Sequence, residues 1–185
     1  MEGKKVVCLG DSLTYGYPYG PEVSWVCYVA SRCPLELINA GVNGNTMEDM
    51  ERRYQMDVQR HYPDFLVIFG GTNDAYRFET TCAEVIYHLE KIIKITQNDK
   101  ICPVVALPMY ALDEYSAGKI ERIRIEEREL AKRFDLPCLD FARAFTDPEG
   151  RVREDLYLDG VHPNIAGYKA MGRVALAFFQ GLFQR

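Results

Sequence analysis

The hydrophobic and polar positions of this chain alternate between short β-branched runs and longer segments of helical period. The short runs predict five strands, at residues 5–9, 35–39, 65–69, 101–107 and 137–140. The longer segments predict five helices, at residues 23–32, 47–61, 80–97, 117–134 and 165–183. This alternation is typical of repeated βα units, which form a parallel sheet covered by helices on both faces.

Together these elements predict a fold of the α/β class. Five βα units with right-handed crossovers form a three-layer αβα sandwich around a five-stranded parallel sheet of flavodoxin-like order. The helix at residues 117–134 has apolar side chains, Ile120 and Ile123 among them, on one stripe, whereas Arg124 and other charged residues lie outside it. We therefore expect its charged face to be solvated. No linker, repeat or low-complexity segment interrupts residues 1–185, which predicts a single domain.

Composition and charge narrow the function classes. The 185 residues are 48% hydrophobic, enough for a substantial core, and the net charge of -5 argues against a nucleic-acid partner. No apolar stretch reaches the length of about 20 residues that spans a bilayer, so we expect no transmembrane segment and a cytoplasmic protein. The six cysteines form no C-x-x-C pair, and we expect reduced, largely buried thiols with no metal and no cofactor.

Polar clusters follow the predicted strands. Gly10-Asp11-Ser12 follows the first strand, Asn39-Ala40-Gly41 the second, Gly71-Thr72-Asn73-Asp74 the third, and Asp159-Gly160-Val161-His162 precedes the last helix. Each cluster alone also fits a turn or a helix cap. Ligands of open parallel sheets bind beyond the carboxyl ends of the strands, so we expect all four clusters to face one another there.

The clusters contain the groups needed for acyl transfer by a serine. The hydroxyl of Ser12 needs an adjacent base, which His162 can supply. The imidazole needs a carboxylate to orient it, and Asp159 lies three residues earlier in the same loop. We therefore predict Ser12, Asp159 and His162 as catalytic residues.

The negative oxygen that develops during attack on an ester needs hydrogen-bond donors aimed at it. We predict three donors: the backbone N–H of Ser12, the backbone N–H of Gly41 and the side-chain amide of Asn73. Gly10 would keep the turn after the first strand open. Asp11 would hold neighbouring backbone in place and is assigned no chemical step.

These residues resemble the SGNH hydrolases, also called GDSL esterases and lipases. The first family block matches Gly10-Asp11-Ser12-Leu13, the second is represented by Gly41, the third G-x-N-D by Gly71-Thr72-Asn73-Asp74, and the last D-x-x-H by Asp159-Gly160-Val161-His162. The resemblance covers nearly the whole chain. Within the family, the chain looks most like the bacterial lysophospholipase and thioesterase-like branch. It implies Ser12 as nucleophile, Gly41 and Asn73 as oxyanion donors, and His162 as base with Asp159 as its partner. The implied activity is hydrolysis of a small-molecule acyl ester or thioester.

Several alternatives remain open at this level. The same residues could remove acetyl groups from a carbohydrate, with Tyr15, Tyr17, Tyr19 and Tyr110 stacking on a sugar or lining an acyl pocket. A non-catalytic nucleotide- or phosphate-binding module would suit the sheet, but no glycine-rich phosphate loop is present.

Two further expectations concern surfaces. The last helix carries more apolar residues than one narrow stripe holds, which favours packing on the sheet over the alternative of a homodimer contact. Residues 75–79 and 108–116 are the expected walls of an acyl groove, and both contain charged side chains. We therefore expect a shallow site that prefers acyl chains of about two to eight carbons, since a longer chain gains binding energy only where apolar surface receives it.

Overall fold

A computed structural model describes residues 3–183. Its five strands are β1 (Lys4–Gly10), β2 (Leu35–Gly41), β3 (Phe65–Phe69), β4 (Cys102–Leu107) and β5 (Cys138–Asp140). They form one sheet in the order β2-β1-β3-β4-β5, and every neighbouring pair is parallel. The predicted α/β class, sheet type and flavodoxin-like order are confirmed.

Helices cover both faces of this sheet. They are α1 (Ser12–Tyr15), α2 (Trp25–Ala30), α3 (Met47–Arg52), α4 (Tyr54–Asp57), α5 (Thr72–Tyr76), α6 (Cys82–Asn98), α7 (Glu114–Arg133) and α8 (Ile165–Phe183). One core forms between the sheet and α2 with α8, and a second forms between the sheet and α3, α4, α6 and α7. Alternate residues of each strand enter opposite cores: Val6 enters the first and Val7 the second.

The register aligns the carboxyl ends of the central strands. Gly10, the last residue of β1, pairs with Gly41 on one side and with Phe69 on the other. The polar segments that follow β1, β2 and β3 therefore leave the sheet at one edge, as the sequence predicts.

Short helices make the main difference from the predicted elements. The helix predicted at residues 47–61 is interrupted at Arg53, where φ is -97° and ψ is 4°, and it continues as α4 and a 3₁₀ turn at Gln59–His61. Two one-turn helices, α1 and α5, were not predicted. Helix α7 begins at Glu114 because Asp113 caps it by accepting a hydrogen bond from the Ser116 N–H at 2.9 Å.

The charged face of α7 is only partly solvated, so that expectation is wrong for two residues. Arg124 is 3% exposed and Glu127 is 1% exposed. The guanidinium of Arg124 donates to the carbonyl of Pro108 and to the carboxylate of Asp140. Arg124 follows Ile123 on the buried stripe, so its long side chain reaches the carboxyl ends of β4 and β5 and stays hydrogen-bonded there.

Helix α8 packs on the sheet, as expected, with Phe179 fully buried and Phe178 and Leu182 partly buried. No helix within residues 3–183 is long and apolar enough to cross a membrane. The expectation of largely buried thiols is partly wrong, because Cys27 and Cys102 are exposed free cysteines.

Candidate active site

Ser12 lies at the first position of α1, directly beyond the end of β1. Asp11 caps this helix by accepting the Leu13 N–H at 2.9 Å. Gly10 is required for this tight turn, because a Cβ there would lie 2.1 Å from Thr14 Oγ1 and 2.9 Å from the carbonyl oxygen of Phe69. Ser12 is nearly buried, and its backbone N–H has no partner among the hydrogen bonds of residues 3–183.

The three predicted catalytic residues form a continuous chain of contacts. The Ser12 hydroxyl lies 3.1 Å from Nε2 of His162, although 150 residues separate the two in sequence. Nδ1 of the same ring lies 2.8 Å from Oδ2 of Asp159. With the proton on Nδ1 donated to Asp159, Nε2 can accept the serine proton, which is the tautomer that a general base requires.

The loop of Asp159 and His162 is held by its own backbone. Oδ1 of Asp159 accepts the N–H groups of Val161 at 3.1 Å and His162 at 2.8 Å, and Leu158 donates to the His162 carbonyl at 2.8 Å. Gly160 makes the turn in the left-handed region at φ 87°. The carboxylate and imidazole are thus fixed relative to each other by the turn itself.

Asp159 stays ionised in this arrangement. Partial burial raises its pKa, but the hydrogen bonds from the His162 backbone and ring and from Val161 outweigh that effect and hold the pKa below its usual value. An ionised carboxylate favours the imidazolium that forms when His162 takes the serine proton. On the other side of the imidazole, the Tyr17 ring lies 4.7 Å from it, tilted by 54°.

Asn73 reaches the site from α5, at the end of β3. Its Nδ2 donates to Oδ2 of Asp11 at 3.2 Å and to the backbone carbonyl of Asn45 at 3.0 Å. The predicted oxyanion amide therefore lies between the segments that follow β1 and β2. An incoming oxyanion would replace one of these two acceptors.

Gly41 is placed differently from the expectation. Its N–H donates to Oδ1 of Asn39 at 3.0 Å, so it reaches an oxyanion only if that hydrogen bond is exchanged. A Cβ at Gly41 would lie 2.2 Å from the backbone nitrogen of Tyr15, so the absent side chain lets α1 approach β2. Gly44 is exposed at φ 78°, and its N–H has no partner among the described hydrogen bonds. It is a candidate donor that the sequence analysis missed.

Asp11 is fully buried beside the side-chain amide of Asn73. Burial raises its pKa to about 7, and the charge of Asp74 acts in the same direction, whereas the Leu13 N–H and Arg53 oppose the shift. Burial likewise raises the pKa of Asp74, whose carboxylate accepts the Met47 N–H at 3.1 Å. Asp11 and Asp74 therefore both accept hydrogen bonds from backbone or side-chain N–H groups around the site.

Several residues that support the site were not predicted from the sequence. The carboxamide of Asn39 donates to the carbonyl of Thr14 at 2.8 Å and so joins β2 to α1. The hydroxyl of Tyr168 donates to the Tyr17 carbonyl at 2.8 Å. Arg53 contacts the end of β1 and the loop after β2. Asn39 lies in the polar cluster that follows the second strand and could have been found from it. Nothing in the sequence distinguishes Tyr168 or Arg53 from other helix residues.

The described part of the chain, residues 3–183, contains no group of three or more His, Cys, Asp or Glu side chains that could hold a metal ion. The arrangement at Ser12 instead has the contacts that serine-based acyl transfer uses.

Comparison with known proteins finds relatives in sequence and in fold. A solved protein of the G-D-S-L family from Desulfitobacterium hafniense is 30% identical, with a TM-score of 0.88 over 95% of this chain and 99% of that chain. An acetylxylan esterase from Geobacillus stearothermophilus is 22% identical over 94% of this chain and 93% of its own length. The lipoprotein YqeF of Bacillus subtilis is 40% identical over 77 residues, which span 38% of this chain and only 32% of that protein.

The family assignment rests on most of the chain. Residues 8–170 match the GDSL-like lipase/acylhydrolase family. This segment includes all four motifs, from Gly10-Asp11-Ser12-Leu13 to Asp159-Gly160-Val161-His162. The chain belongs to the GDSL-like lipase/acylhydrolase family.

Proposed function

We propose that this chain is a serine esterase that cleaves carboxylic esters through an acyl-serine intermediate. Ser12 Oγ attacks the ester carbonyl carbon as its proton passes to Nε2 of His162, and that proton then leaves with the alcohol. Water then loses a proton to His162 and attacks the acyl carbon; the bond to Ser12 Oγ breaks, the acid leaves, and Ser12 Oγ takes that proton back from His162. The observation that carries the proposal is the contact chain of 3.1 Å and 2.8 Å from Ser12 through His162 to Asp159.

The oxyanion donors of this proposal are the Ser12 N–H, the Asn73 amide and the Gly44 N–H. We favour Gly44 over Gly41 because the Gly41 N–H is engaged by Asn39, whereas that of Gly44 has no described partner. A crystal structure of the phosphonylated protein tests this choice. The phosphoryl oxygen should lie about 3 Å from the nitrogen of Gly44; the same distance to Gly41 would restore the original assignment.

A short acyl group is favoured by the space beside Ser12. The gap lined by neighbours of the site residues, among them Leu13, Thr72 and Val161, has no room for a water-sized sphere. A groove of about 630 Å³ lies elsewhere, lined by Leu136, which precedes β5, and by the end of α8. No preformed apolar groove opens at this gap, so a long acyl chain would gain little binding energy there, which supports acyl chains of about two to eight carbons.

An acetylated carbohydrate is a second candidate substrate. Tyr17 is 40% exposed and stands against the ring of His162, where the leaving alcohol departs. Tyr19, in the same loop, is also exposed. Exposed aromatic rings at this position can stack on the apolar face of a sugar. The relative from Geobacillus stearothermophilus named acetylxylan esterase also motivates a test on acetylated xylo-oligosaccharides.

Fluorophosphonate labelling tests the reaction class. The wild-type protein should be labelled on Ser12, as located by mass spectrometry, because only an activated hydroxyl reacts. Ser12→Ala should be neither labelled nor active, whereas the control Ser31→Ala, at an exposed serine, should behave as wild type. An unlabelled wild-type protein would instead support a non-catalytic phosphate- or nucleotide-binding module.

The substrate is tested with a panel of esters. kcat/KM should be highest for p-nitrophenyl acetate to octanoate and should fall for dodecanoate, all below their micelle concentrations. A steady rise to the longest ester would contradict the short-acyl proposal. Acetylated xylo-oligosaccharides preferred over aryl acetates would select the carbohydrate substrate, and a preferred acyl thioester would select the thioesterase alternative.

We further propose a cytoplasmic location. Free thiols at Cys27 and Cys102 are exposed, which suits a reducing compartment. Fractionation of the native host cells, followed by immunoblotting, should place the protein in the cytoplasmic fraction. Recovery with the membranes would contradict this location.

A further inference from the structure

Arg53 is a nearly buried cation that the proposed reaction does not use. It lies between α3 and α4, and its side chain is 16% exposed. The guanidinium makes three hydrogen bonds in three directions. Nε donates to Asn45 Oδ1 at 2.6 Å, Nη2 donates to the Gly10 carbonyl at 2.7 Å, and Nη1 donates to Asp57 Oδ2 at 2.7 Å.

Two of these partners adjoin the site, one at the end of β1 and one in the loop after β2. Gly10 stands two residues before Ser12, and its carbonyl also accepts the Val42 N–H at 3.0 Å. Asn45 offers its backbone carbonyl to Asn73 Nδ2 at 3.0 Å. Through these contacts, the Arg53 guanidinium connects the end of β1, next to the nucleophile Ser12, with the loop after β2. That loop accepts a hydrogen bond from the Asn73 amide.

The interruption of the helix at residues 47–61 coincides with this residue. Arg53 has φ -97° and ψ 4°, outside the α-helical geometry on either side. The third partner, Asp57, lies one turn further along and neutralises the cation at 2.7 Å. The guanidinium is thus paired, hydrogen-bonded and directed toward the site loops.

We propose that Arg53 is a positioning residue for acyl transfer, which sets the separation between the Ser12 turn and the loop of residues 42–46 and so aims the Asn73 amide. The inference rests on the proposed function. A guanidinium is a rigid planar fork that spans several acceptors, whereas a lysine ammonium is a compact point charge on a flexible stem. Displacement of a catalytic group by about 1 Å can reduce the rate about 100-fold.

The test compares two adjacent arginines. Arg53→Gln should lower kcat per active site about 10- to 100-fold, with KM changed less than about twofold, because the loss falls on the transition state. Arg53→Lys should retain only part of the activity. Arg52→Gln is the matched control, since Arg52 is 67% exposed and, within residues 3–183, pairs only with Glu48 and Asp49 on its own helix; its kcat should equal that of wild type.

Counting active sites separates positioning from folding. Fluorophosphonate titration measures the fraction of molecules with a reactive Ser12, and kcat is expressed per titrated site. A purely structural role would lower the melting temperature and the titrated fraction while leaving kcat per site unchanged. Asp57→Asn, which keeps both loop contacts of Arg53, should lower the melting temperature but not kcat per site.

Asn45→Ala provides an independent test. It removes the side chain that Arg53 holds and leaves both Arg53 and the Asn45 carbonyl in the chain, so it should lower kcat per site as Arg53→Gln does. The double variant should lose little more than either single variant, because the two groups act together. If Arg53→Gln does not fold, Asn45→Ala and Arg53→Lys decide the matter.

The possible results are distinct. Unchanged kcat per site in Arg53→Gln, or in both substitute variants, overturns the positioning role while an inactive Ser12→Ala leaves the esterase proposal intact. Equal losses in Arg52→Gln and Arg53→Gln also overturn it. A wild-type protein that is neither labelled nor active removes the proposed function itself, and the positioning role with it.

Discussion

The side-chain amide of Asn73 donates to the buried carboxylate of Asp11, with 3.2 Å between Nδ2 and Oδ2. The other amide hydrogen is taken by the Asn45 carbonyl at 3.0 Å. Asn73 is therefore fixed at the site before substrate arrives, and an oxyanion is bound by Nδ2 when it replaces one of these two acceptors. This preorganisation is what makes a hydrogen-bond donor effective toward a developing oxyanion.

Removal of this amide should slow the chemical step. We expect Asn73→Ala to lower kcat about 100- to 1000-fold with little change in KM, because the interaction strengthens only as the oxyanion forms. Steady-state kinetics on p-nitrophenyl acetate measure both constants. Asn98→Ala, at an exposed asparagine at the end of α6, is the control and should leave them unchanged. A rise in KM alone would make Asn73 a substrate-binding residue instead.

The buried carboxyl of Asp11 predicts how stability varies with pH. Its folded pKa is raised by burial from 3.8 to about 7, so between these pH values the folded chain keeps a proton that the unfolded chain has lost. The contribution of Asp11 to the free energy of unfolding therefore falls as pH rises from about 4 to about 7 and remains lost above that range.

Asp11→Asn should remove this dependence. We expect the free energy of unfolding of Asp11→Asn, relative to that of wild type, to be higher at pH 8 than at pH 5 by less than about 4 kcal/mol. Urea unfolding at both pH values measures the difference. Asp135→Asn, at an exposed residue with φ 53°, is the control. A pH slope in Asp11→Asn equal to that of wild type would contradict the prediction.

Gly41→Ala should destabilise the protein far more than Gly44→Ala does. A Cβ at Gly41 would lie 2.2 Å from the Tyr15 nitrogen and 2.8 Å from the Asp11 carbonyl oxygen, so Gly41→Ala should unfold the protein or lower its melting temperature sharply. At Gly44 no atom lies within 4 Å, and Ala should cost about 1–2 kcal/mol for φ 78°. Thermal unfolding followed by circular dichroism compares the two. Equal losses would show that the packing of Gly41 against α1 is relaxed.

The effect of Tyr17 on kcat should depend on the contact of its ring with His162 and not on its hydroxyl. The centroids are 4.7 Å apart, so Tyr17→Phe keeps the contact and should retain kcat, whereas Tyr17→Ala should lower it about 3- to 10-fold by removing packing worth about 0.5–1.5 kcal/mol. Kinetics on p-nitrophenyl acetate distinguish the variants. A large loss in Tyr17→Phe would assign the role to the hydroxyl instead.

Repeated local patterns determined the fold class. The runs at residues 65–69 and 165–183 predict β3 and α8 at the observed boundaries, because strand and helix periodicity reflect which side chains each element buries. A parallel sheet then places the segments after its strands at one edge, which is why Ser12, Asn73 and His162 could be grouped before their separations were known.

Contacts between distant segments decided the rest. The helix break at Arg53, the burial of Arg124 and the engagement of the Gly41 N–H each depend on a partner supplied by the fold, namely the Gly10 carbonyl, the Pro108 carbonyl and the Asn39 carboxamide. In the helical pattern of the sequence, Arg53 and Arg124 do not differ from other polar residues. A sequence motif identifies Gly41 but does not give the direction of its N–H. Hydrogen bonding of buried polar groups is satisfied only in three dimensions, so these features belong to the tertiary structure.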